Sequence, residues 1–180
     1  MTQSAKENSA LGAAALASAA QEVLGAAWGC VPDDGSANAS ADAPANTSGS
    51  ALPSAAWYGS ALPLSVDGLR QELQLQATVG VVAGLLPRML GRAASAEEVD
   101  EMAEELVAEL VNQVAGHLAG LLGEDGMEVE LGIPTWLPIG TNLSTTPISG
   151  EGPRAEAVVR WTLDGNPLVL SLSCAAASLS

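Results

Sequence analysis

A row of carboxylates followed by an amide recurs at helical spacing in the middle of the chain. Glu101, Glu105 and Glu109 lie four residues apart, and Asn112 follows three residues after the last of them. At about 100° per residue these side chains share one helix face, and Gly116 extends that face without a side chain. A carboxylate can pair with a cation, and an amide can both donate a hydrogen bond to a water and accept one from it. The row is therefore a candidate surface for binding a charged partner.

Two other interpretations compete with a binding site at this row. Acidic stripes on helices are usually solvated surface, and one Glu-x-x-Asn motif does not by itself imply an activity. Glu105 and Glu109 form, alternatively, an acid–base pair for hydrolysis of a sugar or an ester. That chemistry needs a cleft that raises the pKa of one carboxyl, and an exposed helix face offers none. The residues alone leave a solvated face and a binding face open.

The row belongs to one long helix, which we predict for residues 95–123. Ser95 can cap its start, Glu97 and Glu98 suit the positive end of the helix dipole, and Gly123 is suited to end the helix. The opposite arc is apolar and consists of Val99, Ala103, Leu106, Leu110, Val114, Leu118 and Leu121. We therefore expect this arc to pack into a core, with the acidic row facing outwards.

The residues that follow the helix make the motif more specific. Segment 109–116 reads Glu-Leu-Val-Asn-Gln-Val-Ala-Gly, segment 127–134 reads Met-Glu-Val-Glu-Leu-Gly-Ile-Pro, and Leu-Pro-Ile-Gly follows at 137–140. This succession resembles the chemotaxis phosphatases of the CheX, CheC and FliY group. Those proteins carry a helix with Asp or Ser, then Glu-x-x-Asn, and a proline after a downstream strand. The single motif looks like CheX, since CheC usually has two. The specific part of the resemblance is Glu105 to Pro134, and a looser resemblance covers about residues 11–174 apart from residues 33–54.

The resemblance implies a reaction, a partner and a set of site residues. The family hydrolyses the phospho-aspartate of a CheY-type response regulator receiver domain. By that resemblance Asn112 positions the attacking water, and Glu109 pairs with the lysine beside the receiver's phosphorylation site. Glu105, Gly116 and Glu101 are implied to contact the receiver. The Mg²⁺ of this chemistry belongs to the receiver, so no cofactor and no metal site are expected in this chain.

Two departures from the family pattern support an alternative function. Glu105 stands where the family usually has Asp or Ser, and Pro134 lies about one residue closer to Asn112 than usual. A longer, charged side chain at position 105 near an acidic receiver pocket weakens docking or selects a particular partner. The alternative is a non-catalytic docking or scaffold module that keeps the fold and binds a receiver without hydrolysing its phosphate.

Charge and composition narrow the classes of partner. Twenty-one acidic residues against six basic ones give a net charge of −15, which disfavours nucleic acid and anionic membrane as partners. The chain has no run of roughly 18 apolar residues, so no membrane span is predicted. Cys30 and Cys174 lack Cys-x-x-Cys spacing and fit reduced thiols in a bacterial cytoplasm. His117, the single histidine, is predicted to be half-buried, and a zinc site would need more ligands.

The first third of the chain combines a helix with a polar insert. Residues 11–27 are rich in alanine and predict a helix, although Ala17-Ser-Ala19 also has the shape of a signal-peptide cleavage site. The region before it contains Glu7 and few strong hydrophobes, which favours the structural helix. Residues 33–54 are small, polar and proline-bearing, and they predict a flexible surface insert.

Alternating and turn-forming residues predict two hairpins. Residues 57–66 and 69–79 flank the turn signal Asp67-Gly68, and residues 155–163 and 168–174 flank Asp164-Gly165-Asn-Pro. A mostly apolar helix is predicted for residues 80–90, short, kinked or restarted at Pro87. Another strand is predicted for residues 127–133, ended by Pro134. Trp136 and Trp161 are predicted to pack in the core or on the sheet.

The order of these elements predicts a single α+β domain spanning residues 1–180. Helices, including one long central helix, pack on one face of a largely antiparallel sheet. The resembled family has the same arrangement. The last strand, which leads into the low-polarity residues 175–180, is predicted to lie at a sheet edge, and an edge strand can pair with a second copy. A homodimer is therefore also predicted, in line with CheX-like proteins.

Overall fold

The computed structural model describes residues 3–33, 56–137 and 155–174, in which helices and strands account for most of the backbone. The helices are α1 (Gln3–Ala20), α2 (Val79–Leu90) and α3 (Ala96–Glu124), and a π-helical segment, Gln21–Ala27, continues α1. The strands are β1 (Val31–Pro32), β2 (Trp57–Val66), β3 (Leu69–Thr78), β4 (Val129–Leu131), β5 (Thr135–Leu137), β6 (Ala155–Leu163) and β7 (Asn166–Cys174). The predicted insert, apart from residue 33, lies outside the described residues.

The strands form one antiparallel sheet with the order β1-β6-β7-β3-β2-β4, and β5 pairs with β2 beside β4. Two long hairpins, β2–β3 and β6–β7, build its centre. They join where β3 pairs with β7, from Gln71 opposite Cys174 to Ala77 opposite Leu168. Both hairpins were predicted, and the structure confirms them.

Each hairpin turns through two residues with positive φ. Asp67 and Gly68 have φ of 49° and 78°, and Asp164 and Gly165 have φ of 50° and 77°. Positive φ at both central positions is the type I′ turn, whose twist matches the twist of paired strands. The second turn is therefore tighter than predicted, because Asn166 already belongs to strand β7.

All three helices pack against the sheet, α1 and α2 each pack against α3, and leucine is the commonest residue of the core that they enclose. The largest fully buried side chains are Leu16, Leu24, Leu62, Leu73, Leu75, Leu85, Leu86, Leu106, Leu110, Leu118, Leu163 and Leu168. Trp161 is buried as predicted, and Trp136 is half-buried against Tyr58. The predicted α+β architecture, with one long central helix, is confirmed.

Helix α3 begins as predicted and ends slightly later than predicted. The Ser95 hydroxyl accepts a 3.2 Å hydrogen bond from the Glu98 N–H, and the Glu98 carboxylate accepts one of 2.9 Å from the Ser95 N–H. This reciprocal pair is a capping box. The helix passes through Gly123 to Glu124, and the left-handed residue after it is Gly126, with φ of 83°.

Strand β7 is central in the sheet, which contradicts its predicted place at an edge. It pairs with β6 through the hairpin and with β3 on its other side, so both of its edges are used. Its position near the end of the chain does not determine its neighbours, because β3 and β7 are brought together across α2 and α3. A homodimer formed by pairing through β7 is therefore ruled out by the sheet order.

One smaller prediction about local structure also needs correction. The strand predicted for residues 127–133 is shorter, since β4 covers only Val129–Leu131 and Pro134 lies between β4 and β5. Helix α2 continues through Pro87 to Leu90, and Gly91 ends it in the left-handed region with φ of 68°. A proline three residues from a helix end removes one hydrogen bond, and here the helix simply remains short.

Helix α3 is also the one described helix that is long and apolar enough to cross a membrane by length and composition. The most apolar 18-residue stretch has a mean hydropathy of 1.2, and 44% of it is buried inside the protein. The central helix of a globular core meets the same criterion, so this is weak support for a span. The packing of α3 on the sheet accounts for its apolar face.

Candidate functional site

The predicted site residues lie together on the outer face of α3. Glu101, Glu105, Glu109, Asn112 and Gly116 are all exposed, and they follow one another along about four helical turns. The opposite face of the helix is buried against the sheet and the other helices. The structure therefore brings all five predicted residues together on one accessible surface, which we call the α3 face.

The side chain of Glu109 is held by a neighbour that sequence reasoning did not single out. The Gln113 amide nitrogen donates a 2.8 Å hydrogen bond to the Glu109 carboxylate. The amide oxygen of the same glutamine accepts a 3.0 Å hydrogen bond from the Trp28 indole nitrogen. Gln113 thus links the α3 face to a residue 85 positions earlier in the chain.

Trp28 is itself fixed by the backbone around it. It follows the π-helical segment, and its N–H donates a 3.2 Å hydrogen bond to the Val23 carbonyl, five residues back. Its own carbonyl accepts a hydrogen bond from the guanidinium of Arg88 on α2. The indole ring is half-buried and packs against the core. Helix α2, the π-helical segment and α3 are therefore coupled at this point.

A second hydrogen bond holds the other flank of α3. The Tyr58 hydroxyl donates a 2.6 Å hydrogen bond to the Asp100 carboxylate, and the Tyr58 ring lies 5.9 Å from that of Trp136 between centroids. Because the hydrogen bond stabilises the neutral phenol, the pKa of Tyr58 is raised to about 12, with burial adding to the shift. Asp100 and Gln113 lie on opposite flanks of the buried face, so the helix is restrained from both sides.

Glu98, which lies about one turn before the α3 face, is engaged within the protein. Arg92 donates two hydrogen bonds to Glu98, one of them 3.0 Å long, and forms an ion pair with it. This contact and the cap at Ser95 lower the pKa of Glu98 to about 2. Glu98 therefore serves the helix start, and the carboxylates open to a partner begin at Glu101.

Asn112 and Gly116 are the open part of the α3 face. In the described chain no hydrogen bond occupies the exposed Asn112 amide, in contrast to the neighbouring Gln113. A Cβ added at Gly116 would meet nothing within 4 Å. A partner can therefore approach the helix backbone closely beside Asn112.

His117 is exposed, which contradicts its predicted half-buried position. It lies about five turns after the buried Val99, on nearly the same side of an ideal helix. The buried face, however, rotates gradually around α3, and near the end it is formed by Val114, Leu118 and Leu122. A fixed arc drawn from the first turns therefore misplaces residues near the end of a 29-residue helix.

Metal-binding and thiol chemistry are not supported in the described part of the chain. No group of three or more His, Cys, Asp and Glu side chains there could hold a metal ion. Cys30 is a free thiol and is buried, and burial raises its pKa to about 11. The side chain of Cys174 lies outside the described residues. That this chain has no cofactor of its own remains a prediction.

The carboxylates of the α3 face give no support to the acid–base alternative. Glu105 and Glu109 are both exposed on the outer side of the helix, one turn apart. Glu109 is also hydrogen-bonded to Gln113. An exposed pair on a convex helix has no wall that would enclose a substrate or desolvate one carboxyl.

Residues that sequence reasoning missed act as supports for the α3 face. Gln113 follows Glu109 by four residues, and that spacing alone predicts a side-chain contact on a helix. Trp28, Tyr58 and Asp100 gave no such local signal, because their contacts join distant parts of the chain.

Pro134 lies half-buried between β4 and β5, beside Ile133, whose side chain is 82% exposed.

No protein-family model matches the sequence, and no curated protein matches it either. Solved structures do match. A CheC-like superfamily protein from Shewanella sp. PV-4 has a TM-score of 0.63 at 16% identity, with 91% of this chain and 96% of that chain covered. Chemotaxis protein CheX from Vibrio vulnificus has a TM-score of 0.59 at 16% identity, with 88% and 95% covered.

A third matching structure is a complex of two proteins. It is the CheX–CheY–BeF3–Mg complex from Borrelia burgdorferi, with a TM-score of 0.55 at 16% identity and coverage of 90% of this chain and 94% of that chain. These alignments span nearly the whole length of each protein. At such identities the likeness is one of fold, and it confirms the fold expected from the resemblance. The chain has the fold of the CheX- and CheC-like chemotaxis proteins.

Proposed function

We propose that this protein is a phosphatase that hydrolyses the phospho-aspartate of a CheY-type receiver domain. One observation carries the proposal: Asn112 and Glu109 lie exposed, one turn apart, on the long helix of a CheX-like fold. A solved protein with this fold forms a complex with CheY. The spacing of the two residues matches the Glu-x-x-Asn motif from which the activity was predicted.

Asn112 supplies the catalytic group in this proposal. An acyl phosphate is already reactive, so a catalyst mainly has to hold a water in line with the phosphorus atom. The amide of Asn112 can accept a hydrogen bond from that water and adds no negative charge beside the phosphoryl group. Because the side chain is exposed on a convex helix, it can enter a receiver's pocket without rearrangement of the fold.

Glu109 sets the register of the docked helix. Its carboxylate would pair with the lysine beside the receiver's phosphorylation site in a charge-assisted contact. The lysine and Glu109 would then fix the rotation of α3, so that Asn112 faces the phosphorus. The Mg²⁺ is bound by the receiver, and this chain contributes no metal ligand.

The remaining residues of the α3 face select and accommodate the partner. Gly116 leaves the helix backbone open, so that the receiver can come close at the end of the contact. Glu101 and Glu105 favour a receiver with cationic side chains around its pocket, because two facing carboxylates would repel. We place the encounter with the receiver in the bacterial cytoplasm. We also propose that the protein forms a homodimer.

A docking module without catalysis is the second candidate function. It is favoured by Glu105, which stands in place of the shorter Asp or Ser of the resembled family and is exposed on the α3 face. A module of this kind would bind the receiver through Glu109 and leave the phosphate lifetime unchanged.

The decay of the phosphorylated receiver domain, in the presence of Mg²⁺, distinguishes the two functions. A phosphatase shortens the lifetime of the phospho-receiver in proportion to the complex formed. Glu109→Ala should then raise the concentration needed for half-maximal acceleration, while Asn112→Ala should lower the maximal rate. Binding without any change in lifetime would favour the docking module, and no binding to any receiver tried would contradict both.

A further inference from the structure

We infer that Gln113 is a positioning residue that orients Glu109 for the partner and is anchored in turn by Trp28. This inference rests on the proposed function and assigns a role to a residue outside the Glu-x-x-Asn motif. The observation behind it is the continuous chain of hydrogen bonds from the Trp28 indole through the Gln113 amide to the Glu109 carboxylate, with lengths of 3.0 and 2.8 Å.

The chemistry of the three groups requires an amide in the middle. The Trp28 indole N–H can only donate a hydrogen bond, and the ionised Glu109 carboxylate can only accept one. A primary amide accepts with its oxygen and donates with its nitrogen at the same time. The two neighbours therefore also fix which end of the Gln113 amide faces which partner. A glutamate at position 113 could serve Trp28 alone, and a lysine could serve Glu109 alone.

The surroundings give Gln113 a rigid base. Trp28 is half-buried against the core, and its carbonyl accepts a hydrogen bond from Arg88 on a separate helix. Gln113 is half-buried, whereas Glu109 is exposed. The hydrogen bonds therefore transmit the fixed position of a packed aromatic ring to a carboxylate at the surface. Without them, Glu109 would be a flexible side chain on an open helix face.

Fixing Glu109 in advance matters because immobilising a long side chain opposes binding. A glutamate that is free in the unbound protein loses rotamer freedom when it pairs with the receiver's lysine. If Gln113 has already restricted it, that loss does not occur at docking. We therefore expect Gln113 to act on receiver affinity, with little effect on the rate within the saturated complex, where Asn112 acts.

The first test uses the free protein and needs no receiver. Side-chain NMR couplings should show one dominant Glu109 rotamer in the wild type and an average of several in Gln113→Met, which keeps the volume and removes both hydrogen bonds. In Gln113→Glu the Trp28 indole signal should stay in place while Glu109 becomes averaged. If the Glu109 side chain already averages over several rotamers in the wild type, the inference is overturned, whether or not the protein acts on a receiver.

The second test measures the kinetics of receiver dephosphorylation. Gln113→Met should raise KM about two- to tenfold, the range expected for ordering one flexible side chain, and change kcat less than about twofold. In a Glu109→Ala background the same substitution should have no further effect. Gln71→Met, at a half-buried glutamine of β3, is the matched control and should leave KM unchanged.

Two results of the kinetic test would overturn the inference. An equal rise in KM with and without Glu109 would show that Gln113 acts by supporting the fold. A loss confined to kcat would show that it acts on the water or on Asn112. Failure of the wild type to dephosphorylate any receiver would contradict the proposed function instead, and the rotamer measurement would then decide the role of Gln113 alone.

Discussion

The hydroxyl of Tyr58 on strand β2 donates a 2.6 Å hydrogen bond to the carboxylate of Asp100 on helix α3. This contact joins the sheet to the first turns of the helix that carries the candidate site. The Gln113–Trp28 contact restrains the same helix between three and four turns later, on its other flank. The α3 face is thus presented by a helix whose rotation is set at two points.

Tyr58→Phe should lower the free energy of unfolding by about 1–2 kcal/mol at neutral pH, because it removes a hydrogen bond to a charged acceptor. The pKa of Tyr58 is raised from 10.0 to about 12, so the neutral phenol is favoured in the folded state. The stabilisation of the folded state by this hydrogen bond is fully present below pH 10 and should disappear as the pH rises from about 10 to 12. Denaturant unfolding of both proteins across this range measures it.

The chain has a single tyrosine, so ultraviolet absorbance of the tyrosinate reports Tyr58 directly. We expect its titration midpoint near pH 12 in the folded protein. A midpoint at the ordinary value of about 10 would show that the hydrogen bond to Asp100 does not form.

Ser95→Ala should destabilise the protein by about 1 kcal/mol, the usual effect of losing a helix cap.

Glu98→Gln should change how the stability of the protein depends on pH in the acid range. The pKa of Glu98 is lowered from 4.5 to about 2, so its contribution is present above about 4.5 and is lost as the pH falls through 2. Thermal unfolding between pH 6 and pH 2 should therefore show a smaller acid-induced loss in Glu98→Gln than in the wild type. Equal losses would contradict the contact with Arg92.

Gly116→Ala should separate stability from partner binding. Alanine in place of glycine at an exposed helix position stabilises the fold by about 0.5–1 kcal/mol, and no neighbouring atom obstructs the new methyl group. On the α3 face, however, the methyl group should weaken the contact with a receiver. Gly120→Ala, one turn later and equally open, is the control. It should give the same gain in stability with no loss of binding.

Cys30 should react slowly with thiol reagents in the folded protein. A buried thiol with a pKa of about 11 has only about one part in a thousand of thiolate at pH 8. The measurement is best made in a Cys174→Ser protein, so that one thiol is followed. Modification that becomes fast only in denaturant is the expected result, and fast modification of the folded protein would contradict the burial of Cys30.

Local patterns predicted most of the secondary structure. The capping box at Ser95, the alternation in both hairpins and the two Asp-Gly turns depend on neighbouring residues, so they can be recognised without the fold. The exposed row on α3 was predictable for the same reason, since residues three or four apart share a helix face.

Features that depend on distant residues were not predictable in this way. Strand β7 was predicted to lie at an edge, yet β3 pairs with its second side. Trp28 reaches Gln113 only because the π-helical segment ends beside α3. The exposure of His117 depends on the gradual rotation of the buried face along α3, which a regular helical wheel does not contain.

Removing the side-chain amide of Asn112 tests whether this residue positions the attacking water. We would measure the decay of Mg²⁺-bound phospho-receiver at saturating concentrations of the wild type and of Asn112→Ala, and the affinity of both for the receiver. The proposal predicts that Asn112→Ala binds as the wild type does while its maximal rate falls about 100-fold, the effect of losing a positioned reactant. An unchanged maximal rate in Asn112→Ala would contradict it.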